Sequence, residues 1–211
     1  MVTLVPGRGE SGSALILVLI AAGVLSALGV GLVMLGSTDA MIATNFRTSG
    51  EAFYAADAAA ERAIQDLGVV ANWSAVLSGT VPATFVDQTL TPTLASNQAL
   101  DLTALTADLQ RESDASASWG LNNPRWRLFA YGPLSQLTGT GGIQSSAYIV
   151  SWIADDPAET DGDPMTDGNG TIVLRARALG LFGSTRGLEV TLARTGPGRA
   201  GVRILSWRQA Q

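Results

Sequence analysis

Residues 12 to 36 read GSALILVLIAAGVLSALGVGLVMLG, and no charged side chain occurs between Glu10 and Asp39. At ~1.5 Å of rise per residue, the stretch from Ser13 to Gly36 forms a helix of roughly 36 Å, enough to cross a hydrocarbon core of ~30 Å with some tilt. The reading that follows is a membrane helix near the N-terminus. A cleaved secretory signal has an apolar region of only ~7–15 residues before a small-residue cleavage site. The competing reading, cleavage near Ser26-Ala27-Leu28-Gly29, rests on the small residues inside the run.

Beyond Asp39 the composition changes but the periodicity does not. Ile42, Phe46, Phe53, Ala56, Ala60, Ile64 and Leu67 recur at three- and four-residue steps, while Asp39, Arg47, Glu51, Asp57, Glu61, Arg62 and Asp66 occupy the other faces. This is an amphipathic helix that must cover something apolar, and it continues the first segment until Gly68 breaks it. Ala55, Ala56, Ala58, Ala59 and Ala60 favour helix and keep one surface thin enough for close approach by a sheet or a second helix.

The residues that carry a family resemblance are a short leader ending in Gly12, then Ser13-Ala14-Leu15 and the apolar helix, then Asn45-Phe46-Arg47 and Glu51-Ala52-Phe53-Tyr54-Ala55-Ala56-Asp57-Ala58-Ala59-Ala60-Glu61. Together they resemble type IV pilin-like proteins, and among those the PilX-type minor pilins. The likeness covers roughly residues 8 to 67. It implies cleavage by prepilin peptidase between Gly12 and Ser13, methylation of the new terminal amine, and assembly into a pilus through a helix whose apolar surface includes Leu15, Leu17, Leu19, Leu25, Leu28, Leu32 and Leu35. Major pilins carry a glutamate at the fifth mature position, where this chain has Leu17. A carboxylate in hydrocarbon needs a partner, and in major pilins the terminal amine of a neighbouring subunit supplies it. Leu17 cannot play that part, which points to a tip or initiating component rather than the bulk fibre protein.

Composition bounds the rest. The chain has 211 residues, so about 140 follow Gly68, the size of one globular domain. Cysteine and histidine are both absent. Disulfides, thiol chemistry, the usual general base and every Ser-His-Asp arrangement go with them, and the sequence points away from an enzyme. The formal charge is −5. No basic cluster suggests a nucleic-acid groove, and Arg194, Arg199, Arg203 and Arg208 read as solvated positions on strands and turns.

Residues 69 to 118, broken by Pro82 and Pro92, read as a long irregular connection, with a short strand at Thr84-Phe85-Val86 and a helix from Asp101 to Arg111 capped by Asp101. The second half is β. Strands are expected at 125–131, 147–154, 171–179, 187–194 and 202–207, with a loop through Gly139, Gly141 and Gly142 and a turn through Gly183-Ser184. Leu188, Val190 and Leu192 alternate with Glu189, Thr191 and Ala193, one face towards a core and one towards water. Short connections make an antiparallel meander the economical topology. Packed against Phe53, Ala56, Ala60, Ile64 and Leu67, it gives an α+β type IV pilin fold, a long membrane-spanning helix on an antiparallel β-sheet. The domains are then a leader at 1–12, the helix at 13–67 (13–36 in the membrane, 37–67 amphipathic) and a globular domain at 68–211.

Two further features bear on function. Six carboxylates fall between Asp155 and Asp167. Asp161, Asp163, Asp167 and Asn169 offer hard oxygen ligands at near-alternate positions, as calcium requires. The competing reading is a solvated turn, because Asp, Gly, Pro and Asn are also turn formers. Of the tryptophans, Trp126 and Trp152 lie within strands and read as core, while Trp207 reads as an interface residue.

The sequence reading is therefore a minor pilin of the bacterial inner membrane with its C-terminal domain outside the cytoplasm, later incorporated into a surface pilus. Its expected partners are prepilin peptidase, other minor pilins, the major pilin and a tip adhesin, with no nucleic acid. No cofactor is required, and calcium is the candidate ligand. The alternatives are a K-type pseudopilin of a type II secretion system and a single-pass anchored binding protein.

Overall fold

The computed structural model describes residues 11–116, 119, 122–137, 142–180, 183–196 and 201–210. Residues 1–10 of the expected leader, Gly139 and Gly141 of the expected loop, and Arg199 lie outside them. The chain divides into two units, Met1–Phe46 and Arg47–Gln211. The division falls inside the first helix, α1 (Ser11–Val69), which runs through Gly68, where the sequence predicts the helix to break. The reason is that Ala55, Ala56, Ala59, Ala60, Ala63, Ile64 and Leu67 of α1 belong to the same core as the sheet.

In the first unit α1 is helical throughout its described residues, and all the large apolar side chains from Leu15 to Leu35 are exposed. At the end of the apolar run, Ser37 Oγ and Thr38 Oγ1 both donate to the Met34 carbonyl, at 2.9 and 3.0 Å. A helix entering an apolar medium must satisfy its hydroxyls internally in this way.

In the second unit five strands, β1 (Arg127–Pro133), β2 (Tyr148–Asp155), β3 (Thr171–Leu179), β4 (Thr185–Arg194) and β5 (Val202–Ala210), form one sheet in sequence order. Every neighbouring pair is antiparallel, the expected meander. Ile149 and Ile153 of β2, Ile172 and Leu174 of β3, and Leu188, Val190 and Leu192 of β4 share a core with α1 and with Trp73, Val76 and Leu77 around a short helix, α2 (Ser74–Leu77). The alanines of α1 permit a close approach: Ser151 of β2 donates to the helix carbonyl of Ala59 at 3.2 Å.

The opposite face of the sheet is also covered, which the alternation in β4 did not suggest. A third helix, α3 (Leu102–Asp114), together with Leu94 and Leu100, packs Leu102, Leu105 and Leu109 against Trp119, Trp126, Tyr148, Val150 and Trp152. All eight residues of β2 are consequently buried. Asp101 caps α3 as expected, its carboxylate accepting from Ala104 N at 2.9 Å. The indole of Trp152 donates to Thr106 of α3 at 2.8 Å and that of Trp126 to Ser113 at 2.5 Å, so both tryptophans are core residues with their polar edges satisfied.

Residues 69–116 are thus a covering layer as well as a connection. Thr84-Phe85-Val86 makes one isolated parallel bridge, Val86 to Tyr131, in place of the expected strand. Thr84 is occupied otherwise: its N–H and hydroxyl both donate to Asp66 of α1, at 2.8 and 2.7 Å, which pins the connection to the helix. Glu189, expected in water, is buried and pairs with Arg175 at 2.8 Å and with Arg208. Arg194 is not merely solvated either. Its guanidinium lies 4.6 Å from the Trp73 ring centroid and donates to the carbonyls of Val70 and Ala71, just beyond the end of α1.

Candidate functional site

Two regions carry chemistry that the globular core does not require. The first is the apolar surface of α1. Leu15, Leu17, Leu19, Leu25, Leu28, Leu32 and Leu35 are all exposed, and with Ile16, Val18, Ile20, Val24, Val30, Val33 and Met34 between them no face of this segment is polar. It is long and apolar enough to span a membrane. A helix that is apolar all round must be covered by lipid or by other apolar helices. Gly12 and Ser13, the residues of the expected cleavage site, fall in the first turn of α1.

The second is the loop between β2 and β3. Local hydrogen bonding engages most of its acidic side chains. Asp161 Oδ1 accepts from Asp163 N at 3.1 Å; Asp163 accepts from Met165 N at 3.1 Å and Thr166 Oγ1 at 2.8 Å; Asp167 Oδ1 accepts from Gly170 N at 2.7 Å and Thr171 N at 3.1 Å. These are the turns that Asp residues make with the backbone two to four positions on. Gly162 has φ +76°, the left-handed region a residue with a Cβ enters at a cost, and it lets the chain reverse between Asp161 and Asp163. Asn169 directs its amide to Asp156 Oδ1 at 2.7 Å. Asp161, Asp163, Asp167 and Asn169 are therefore distributed over separate turns rather than gathered around one point.

The carboxylates that do converge are Asp155, Glu159 and Asp161, each placing an oxygen within 4.8 Å of the others. Asp155, the last residue of β2, is fully buried, Glu159 is more than nine-tenths buried, and Asp161 is exposed. Glu159 Oε1 accepts from Gly168 N at 2.7 Å and from Asn169 N. A Cβ at Gly168 would stand 3.2 Å from that oxygen, so glycine permits the approach. Asp155 Oδ2 accepts from the buried Asn122 amide at 2.6 Å. Burial pushes the Asp155 carboxyl up to about 7 against the opposing Asn122 hydrogen bond, and the negative charges of Glu159 and Asp156 add to the shift. Burial also raises Asp167, opposed by the amides of Gly170 and Thr171. Spacing alone did not single out Asp155, Glu159 or Asn122. The available signal was that Asp155 closes an otherwise uncharged strand, where a carboxylate has to be accounted for.

Comparison of the chain with family models, curated proteins and solved structures returned no match in any of the three. Function must therefore be argued from the residues.

Two other surfaces are open to solvent. Trp207 lies on β5, which among the described residues pairs only with β4, and is partly exposed, its ring edge-on to Phe53 at 5.8 Å. An open cavity of about 940 Å³ is bordered by Val81, Leu90, Leu102, Trp126, Phe129 and Tyr131.

Proposed function

We propose that this chain is a minor pilin of a type IV pilus. In this reading a bacterial inner-membrane precursor is held by residues 13–36, cut by prepilin peptidase between Gly12 and Ser13, and drawn into the pilus through the same apolar helix. The observation that carries the reading is a helix apolar on every side and uncovered over 13–36, whose later turns contribute an alanine-lined face to the core of an antiparallel meander. Such a segment serves two environments with one surface. In the bilayer its leucines meet acyl chains; in a filament they meet the helices of neighbouring subunits, so transfer between the two exchanges one apolar contact for another. Leu17 in place of a carboxylate supports a position at or near the tip, where no further subunit has to be received. The second unit then presents its surface to other minor pilins or to a tip adhesin.

The test is N-terminal mass spectrometry of the protein from native membranes and from sheared surface filaments, beside a Gly12→Ala variant. A mature chain beginning at methylated Ser13, lost in the variant and present in filaments, is the expected result. An uncut chain confined to membranes would replace the proposal with an ordinary single-pass anchored protein.

A further inference from the structure

The acidic loop contains an electrostatic imbalance that its own hydrogen bonds do not resolve. Three buried acceptors, Asp155 Oδ1, Glu159 Oε2 and Asn122 Oδ1, have no hydrogen-bond partner. Each belongs to a side chain whose other polar atom is firmly engaged: Asp155 Oδ2 with Asn122 Nδ2, Glu159 Oε1 with two backbone amides, and Asn122 Nδ2 also with the Asp156 carbonyl at 3.0 Å. The side chains are thus held in place with free lone pairs. A buried acceptor without a donor is uncommon in a folded protein, and two on neighbouring carboxylates call for a positive charge. Among the described residues the chain supplies none there. All 13 of its basic residues are arginines, and no ion pair to Asp155, Glu159 or Asp161 is formed among the described residues.

We propose that Asp155, Glu159 and Asp161 bind a calcium ion. Two oxygens bound to one calcium at 2.3–2.6 Å stand no more than ~4.6–5.2 Å apart, and the three carboxylates satisfy that limit with oxygens within 4.8 Å of one another. All the ligands are hard oxygens, and the chain has no cysteine or histidine to favour a softer metal. Two buried carboxylates form the floor, and exposed Asp161 gives the ion its path from solvent and leaves room for the waters that complete a shell of six to eight. The ion would join the end of β2 to the loop leading into β3, so its binding stabilises the folded second unit by mass action.

The test uses the full chain in detergent, stripped with a chelator and titrated with calcium chloride while the unfolding midpoint is followed. Calcium is expected to raise the midpoint, with half-effect near 10⁻⁴–10⁻³ M, the range of extracellular modules. Asp161→Asn, an exposed change that leaves the core intact, is expected to weaken the response by about tenfold or more. Asp163→Asn, an equal change of charge in the adjacent turn, is expected to leave it unaltered. No response at about 10 mM calcium, equal weakening by the two variants, or an equal response to magnesium would overturn the assignment. Because the readout does not depend on cleavage after Gly12, it fails or succeeds separately from the pilin proposal.

Discussion

Leu25 and Leu174 are chemically the same side chain in opposite circumstances. Leu25 in the first unit is 69 % exposed on a helix with no polar face, whereas Leu174 in β3 is 0 % exposed between α1 and its neighbouring strands. The second unit provides its own apolar surroundings: alanines on one side of the sheet, and leucines with tryptophans on the other. Among its described residues the first provides none. Hydrophobicity alone does not distinguish core from contact surface; the availability of a partner does.

The sharpest way to break this contrast is one substitution made twice. Leu174→Ala removes buried methylene groups from a packed core and should lower the stability of the second unit by about 2–5 kcal/mol, measured by denaturant unfolding in detergent. Leu25→Ala should leave that unfolding transition where it was. A loss of similar size from both would mean that the two units fold as one. A smaller effect is expected where α1 meets the sheet. Ala59→Leu adds bulk to a face thin enough for Ser151 to reach the helix carbonyl, and should destabilise by about 1–3 kcal/mol through overpacking. A neutral or stabilising result would show that the alanine face has spare room.

Elements whose determinants are local were legible in the sequence. Asp101 announces α3 because a capping carboxylate acts on an amide three residues away, and the β-branched and aromatic runs became β1 to β5 nearly where they stand. The layer covering the second face was not legible. Leu94 and Leu100 sit in irregular chain, and their partner Trp152 is more than fifty residues away. The alternation in β4 misled for the same reason: Glu189 is polar yet buried, because Arg175 and Arg208 meet it from β3 and β5. The leucines of residues 15–35 are all exposed, and their continuous apolarity leaves no inward face to choose.

The acidic loop shows a different limit. Regular spacing directed attention to Asp163, Asp167 and Asn169, but backbone amides and Asp156 already occupy their side chains. The oxygens left without partners belong instead to Asp155 and Glu159, whose proximity depends on how the loop closes. Spacing identifies side chains that can bind; competition from local hydrogen bonds decides which remain free to do so.

The central claim is that residues 13–36 are covered by an apolar medium while the second unit faces water, and the absence of cysteine makes it directly measurable. Single-cysteine chains Ser26→Cys and Ser206→Cys would be treated with a membrane-impermeant maleimide on intact cells and on sheared filaments. The account predicts that position 206 on β5 is labelled in both preparations and position 26 in neither. Labelling of position 26 as fast as position 206 would contradict it.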